Sequence, residues 1–287
     1  MLLLLQVLAN GALLGGLYAL MALGLALVWG VLNIVNLAHG AFIMLGAYVC
    51  YYLFTLAHMD PFAALPVAML LLFCLGYALQ RGVLNLIIRA PMFNTLLITF
   101  GFEVVITFLA QIVFSADFRA INPDYAGANV TLTGVTVPLV RLAAFAVALG
   151  LTAALSLLLN RTRVGRAIRA CAQDLVAARL HGVEPRHIYA LTFGLGAALA
   201  GAAGGLYGIV SQINPYIGGA LTAKSFAICI IGGLENPFGV VVGGLFLGIV
   251  ESLTSVYVGA TYADVASFGI LVLVLIVRPT GLLGRTT

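Results

Sequence analysis

The side chains able to do chemistry in this sequence fall into distinct sets. Asn33, Asn36 and His39, followed at once by Gly40, put two amides and an imidazole between apolar runs. Such a group is suited to a place where a helix breaks and lines a polar cavity. Glu103, Lys224, Glu251 and Glu235 are ionisable residues in or beside apolar runs. Desolvation makes these positions costly, so they mark a substrate or ion pathway unless they pair with a neighbouring helix or snorkel to the interface. Asn214, ahead of Pro215, is a further amide of the same kind. The last set is basic: residues 165–182 carry Arg166, Arg169 and Arg179 around Asp174, Ala177, Ala178 and Gly182. Asp174 can cap a short helix over 175–181, and Gly182 can close it in the left-handed conformation. A plain basic loop needs neither helix-forming Ala and Leu nor caps at both ends, so this stretch reads as a protein-docking element.

Catalysis by the chain itself finds no support. There is no H-E-x-x-H or G-x-S-x-G, and no carboxylates stand at catalytic spacing. The stretch from Gly218 to Lys224-Ser225 approaches a phosphate loop, but Ala223 stands where the second glycine belongs. Cys50, Cys74, Cys171 and Cys229 are far apart and read as small buried apolar residues rather than a disulfide or zinc framework. No cofactor or metal is expected on this chain.

The elements that must position these residues follow from composition. Of 287 residues, 63% are hydrophobic and 8% charged, far below the roughly one quarter charged of soluble domains. In a bilayer the backbone must satisfy its own hydrogen bonds, which leaves helices or closed barrels. Residues 151–159 and 268–277 are apolar at nearly every position, without the alternation of barrel strands. The expected fold is therefore all-α, a polytopic transmembrane helix bundle forming one domain over residues 1–287. With about 20 apolar residues per crossing, spans are expected at 7–30, 39–58, 62–80, 92–114, 138–159, 188–212, 237–257 and 263–279. Residues 220–234 either cross or dip in as a re-entrant segment. The arginines of the loop 160–187, together with Arg81, Arg89, Arg278 and Arg285, set those ends on the cytoplasmic side. The loop 115–137, with Asp117, Arg119 and Asp124 in near balance, then lies opposite, and so does the N-terminus. The net charge of +4 is a matter of topology, with no call for nucleic acid.

Gly15-Gly16-Leu17-Tyr18, followed by Asn33, Asn36 and Gly40, is echoed by Gly204-Gly205-Leu206-Tyr207, followed by Asn214, Gly218 and Gly219. The copies would run in opposite directions, as in an inverted repeat. Glycines at small-xxx-small spacing, Gly11/Gly15, Gly201/Gly205, Gly204/Gly208, Gly239/Gly243 and Gly244/Gly248, predict close helix packing.

Beyond these readings, the chain resembles the permease subunits of bacterial branched-chain amino-acid ABC importers nearly end to end. The resemblance rests on the run from Gly30 to Gly40, on 165–182, on Ile213-Asn214-Pro215-Tyr216-Ile217-Gly218, on Gly232-Gly233 with Pro237-Phe238-Gly239 and Gly243-Gly244, and on Arg278-Pro279-Thr280-Gly281-Leu282-Leu283-Gly284-Arg285. It implies a multi-pass protein of the bacterial inner membrane that pairs with a second homologous permease. Two cytoplasmic ABC ATPase subunits would dock beneath, around 174–182, and a periplasmic substrate-binding protein would deliver Leu, Ile or Val. ATP would be used by the partner subunits. The docking stretch departs from the Glu-Ala-Ala form of other importers. Other readings are an ion-coupled secondary transporter using Glu103 or Glu251, and an aquaporin-like channel. Asn122-Pro123, Asn214-Pro215 and Asn236-Pro237 share the channel's dipeptide, but Asp, Tyr and Phe follow in place of Ala.

Overall fold

The apolar runs become helices because each one closes its own backbone hydrogen bonds, and their ends are set by residues that cap or cannot continue. The computed structural model of the chain describes all residues except 88–90, 133, 235, 279–280 and 284–287. Arg89, Glu235 and Arg285 from the sequence reading, with Pro279, Thr280 and Gly284, lie outside the described residues. The order is α1 (Leu2–Leu32), α2 (His39–Ala57), α3 (Pro61–Leu79), a π-helical turn (Gln80–Leu84), α4 (Asn85–Ile87), α5 (Met92–Phe114), α6 (Leu139–Arg161), α7 (Arg163–Gln173), α8 (Leu175–Leu180), α9 (Pro185–Val210), α10 (Ile217–Gly232), α11 (Pro237–Tyr257) and α12 (Ala263–Val277). Among the described residues, 8 helices are long and apolar enough to cross a membrane, and they coincide with the expected spans to within a few residues. α3, α9 and α11 each begin with proline at the first helical position, which needs no amide donor there. A small hairpin in the loop 115–137 departs from the all-α pattern, where β1 (Asn129–Leu132) pairs antiparallel with β2 (Val135–Pro138).

α1 and α9 form the centre: 83% and 78% of their apolar windows are buried, against 11% for α5 and 17% for α12. Helices apolar all round belong in such a position. α1 lies most extensively against α11, and α9 against α3. Exchanging α1 with α9, α2 with α10, α3 with α11 and α5 with α12 carries these contacts into one another, and likewise α2·α3 into α10·α11 and α2·α5 into α10·α12. This is the inverted repeat that the Gly-Gly-Leu-Tyr echo predicts, with its copies on α1 and α9. The symmetry is incomplete, because α12 also packs on α11, a contact α5 lacks on α3 at comparable extent.

Residues 211–232 resolve the ambiguous segment. α10 has 16 residues, about 24 Å at 1.5 Å per residue, too short alone for a hydrocarbon core of about 30 Å. It starts against Gly40 at the beginning of α2 and ends with Gly232 against Gly239, at the start of α11. The segment therefore combines a non-helical stretch with a short helix. The chain between α1 and α2 does the same from the other side.

Glycines set the closest approaches. A Cβ on Gly15 would stand 2.6 Å from the Leu245 Cα, and one on Gly11 would stand 2.7 Å from the Ile249 Cα, while one on Gly248 would run into Gly11 and Gly15. The pairs Gly11/Gly15 and Gly244/Gly248 thus face each other across α1 and α11. Cys50, Cys171 and Cys229 are buried as expected, whereas Cys74 is exposed on α3. Replacing Gly248 by Val should lower stability by roughly 1–3 kcal/mol through overpacking. Gly150→Ala, where nothing lies within 4 Å, should change it little; unfolding of both variants in mixed micelles is the check.

Candidate functional site

The first site is the junction where α2 and α10 begin. Asn33 ends α1 in the left-handed conformation (φ 54°), with its N–H on Trp29 O, and is exposed, so it serves as a helix cap. From there residues 34–36 run outside any helix or strand and residues 37–38 turn into α2, so their backbone groups need partners inside the bundle. Two threonines supply them. Thr99 on α5 donates to Val35 O (2.9 Å) and accepts from Leu37 N (3.3 Å). Thr222 on α10 accepts from Gly40 N (2.8 Å) and lies 3.2 Å from Leu37 O. Asn36 and His39 are buried; the His39 Nε2 is 2.8 Å from Met21 O, which ties the start of α2 to the middle of α1. Asn36 Oδ1 and His39 Nδ1 have no protein partner among the described residues.

On the other side, Asn214 turns the chain into α10. Its Oδ1 accepts from Tyr216 N (2.8 Å) and its carbonyl from Ile217 N (3.4 Å). Ile213 and Arg119 exchange backbone hydrogen bonds (2.8 and 2.9 Å), fastening this turn to the loop 115–137. Glu103, half-buried on α5, brings its carboxylate beside Gly219 in the first turn of α10. The positive ends of α2 and α10 therefore meet near the middle of the bundle, with Glu103 beside one of them.

The second site joins α1, α10, α11 and α12. Lys224 Nζ lies 3.0 Å from Glu251 Oε1, 3.0 Å from Asp264 Oδ1 and 3.1 Å from the Tyr18 hydroxyl, which donates to Glu251 at 2.9 Å. Lys224 also sits over the Tyr18 ring, 5.0 Å from its centroid. The sequence set Lys224 and Glu251 apart as separate suspects; the fold makes them one ion pair. Asp264 and Tyr18 were not singled out, because nothing in a linear pattern brings α1, α10 and α12 together.

The third site is the arginine-rich corner formed by α7 and α8. Thr162 caps α7, accepting from Gly165 N (3.0 Å), a cap the sequence reading passed over. Asp174 caps α8 as expected, accepting from Val176 N (2.8 Å) and Ala177 N (3.0 Å). Gly182 (φ 79°) closes α8, with its N–H on Arg179 O and Val183 N on Ala178 O. Ala178, Ile168 and Cys171 are buried toward the bundle. Burial raises the Cys171 thiol above its ordinary range, against a smaller opposing pull from Arg179. Arg166 and Arg179 are exposed, and Arg169 Nη1 bonds Leu159 O and Asn160 Oδ1 at the end of α6. Val176 and Leu180, one turn apart, are 67% and 83% exposed.

Two tests follow. Thr222→Val strands the Gly40 N–H, and should cost about 1–3 kcal/mol; Thr192→Val, which removes only a bond to Ile188 O within α9, should cost far less in the same unfolding assay. Lys224→Met leaves Glu251 unpaired, and should cost roughly 3–5 kcal/mol, with much of it regained in Lys224→Met/Glu251→Leu.

Over residues 7–275 the chain matches the family described as branched-chain amino acid transport system / permease component. It is 34% identical over 294 residues to the high-affinity branched-chain amino acid transport system permease protein BraD of Pseudomonas aeruginosa, covering 98% of this chain and 96% of that one. It is 32% identical over 301 residues to the permease protein LivH of the corresponding system of Escherichia coli, with the same coverage. The permease protein LivM of Escherichia coli is 28% identical over 295 residues, covering 94% of this chain and 68% of its own length. No solved structure matches. A full-length match of this kind, on a bundle of eight long apolar helices, establishes that the chain belongs to the branched-chain amino acid transport permease family.

Proposed function

We propose that this chain is the membrane permease subunit of an ATP-driven importer that moves leucine, isoleucine, valine or a related amino acid across the bacterial inner membrane. The observation that carries the proposal is α8. It is a short helix capped at both ends, held to the bundle through Ala178, that turns Val176, Arg179 and Leu180 outward at the cytoplasmic corner. Exposed apolar residues at that end, beyond the membrane-crossing helices, call for a protein partner.

Two cytoplasmic ABC ATPase subunits would supply that partner and use the ATP, since the chain has no phosphate loop of its own. A periplasmic binding protein would deliver substrate on the other side. A second, homologous permease would complete the pathway. That LivH and LivM are both permease proteins of one named system in Escherichia coli supports a pair of unlike chains. ATPase closure would push α8 and α7, and through Ile168 and Cys171 would load α1 and α9. Asn36, His39, Glu103 and Asn214 around the α2/α10 junction, with Lys224 and Glu251 above it, are the pathway candidates. Weak polar contacts of this kind suit a carrier that must release a zwitterion with a branched apolar tail. Pairing of Glu251 with Lys224 speaks against its use as an ion-coupling site.

Purified from its native membrane, the intact chain should bring ATPase subunits with it. Val176→Asp/Leu180→Asp should lose them and abolish ATP-dependent leucine uptake in reconstituted vesicles. Asp174→Ala, which removes a cap worth about 1 kcal/mol, should weaken both. Uptake by the chain alone, without ATP, would overturn the proposal.

A further inference from the structure

We infer that the crevice between the cytoplasmic ends of α1, α6 and α11 binds one anionic phospholipid, with an acyl chain along its wall and the phosphate on Arg169. α6 and α11 both lean on α1 in its outer half, α6 through Phe145 at Gly16 and α11 through Gly244 and Gly248. Toward the cytoplasm they diverge. The gap is a cavity of about 520 Å³ whose wall includes Leu27, Val31, Leu155 and Val241, with Asn160 and Arg169 at its rim. That volume lies within the range of about 300–1,000 Å³ typical of small-molecule sites.

The chemistry of the lining selects the occupant. Arg169 is its cation, and none of the described lining residues is acidic. Both partners of Arg169 Nη1, Leu159 O and Asn160 Oδ1, are neutral. They hold the guanidinium in place and leave its other donors and its charge available. Arg161, Arg163 and Arg166 stand exposed on the same corner. A zwitterionic amino acid would find no carboxylate for its ammonium group, and its short side chain would leave most of the apolar wall empty. A phosphodiester with a long tail meets both demands. The surrounding leaflet, on the cytoplasmic side, is the one whose negative lipids basic pockets between helices take up. Because α6 and α11 are peripheral helices, a lipid can enter the gap sideways from the bilayer. Once seated, it would brace α7 against α1, beside the docking element.

The test uses the full chain, purified in mild detergent and stripped of lipid, titrated with palmitoyl-oleoyl phosphatidylglycerol or with the phosphatidylcholine of the same chains, and read by native mass spectrometry. Phosphatidylglycerol should bind about five- to ten-fold more tightly. Arg169→Gln should abolish that preference. Ala26→Phe, which points a ring into the cavity while leaving the Arg169 bonds to α6 intact, should weaken both lipids. Equal binding of the two lipids by the intact chain, or a preference that survives Arg169→Gln, would overturn the inference. Should Arg169→Gln fail to fold, undiminished phosphatidylglycerol binding by Ala26→Phe would overturn it equally. Displacement of the lipid by leucine would assign the cavity to the transported amino acid instead.

Discussion

Inside a bilayer a backbone N–H or C=O without a partner has no water to turn to, and that constraint organises this fold. Most of the chain meets it by being helical. Residues 34–38 do not, because they are a non-helical stretch and turn within the bundle, and Thr99 and Thr222 add hydrogen bonds from helices more than sixty residues away along the chain. Those two hydroxyls allow α2 to begin deep in the protein and bring α5 and α10 to the same point. The turn into α10 is met differently, by Asn214 locally and by the backbone exchange of Ile213 with Arg119. Two broken crossings, each with its own supply of partners, meet N-terminus to N-terminus.

Close helix contact is the second requirement, since lipid tails are as apolar as leucine and association rests on packing. Glycine removes the side chain where α1 meets α11 and where α9 meets α2 and α3. The result is two central helices, each clamped by a partner from the opposite half of the repeat. A bundle built this way has a rigid centre and looser periphery, with α5, α6 and α12 showing most of their surface. The junction of α2 and α10 lies between the two halves, where a small rotation of one half against the other would be felt first.

Charge gathers at a few places in this arrangement. Lys224, Glu251, Asp264 and Tyr18 tie four helices with one polar cluster. At the opposite corner the arginines surround α7 and α8, whose buried residues reach α1 and α9. A force applied at α8 thus has a packed route to the centre, through Ile168 and Cys171.

The sequence by itself determined the solvent, the helices, their approximate ends and the short helix α8 with both its caps. All of these depend on local composition or on residues a few positions apart, such as Asp174 with Ala177 or Gly182 with Arg179. It also carried the repeat, though only as a four-residue echo, because an inverted repeat preserves packing geometry far longer than residue identity. What required the tertiary structure was partnership across distance. Lys224 and Glu251 are lone charges on paper and one ion pair in the bundle; Asn33 reads like Asn36 but is an exposed cap while Asn36 is buried. Thr99 and Thr222 carry no signal at all, since a threonine in an apolar helix ordinarily bonds its own preceding turn. Their importance comes from the non-helical backbone and the helix start that the fold lays against them, which only the assembled helices can do.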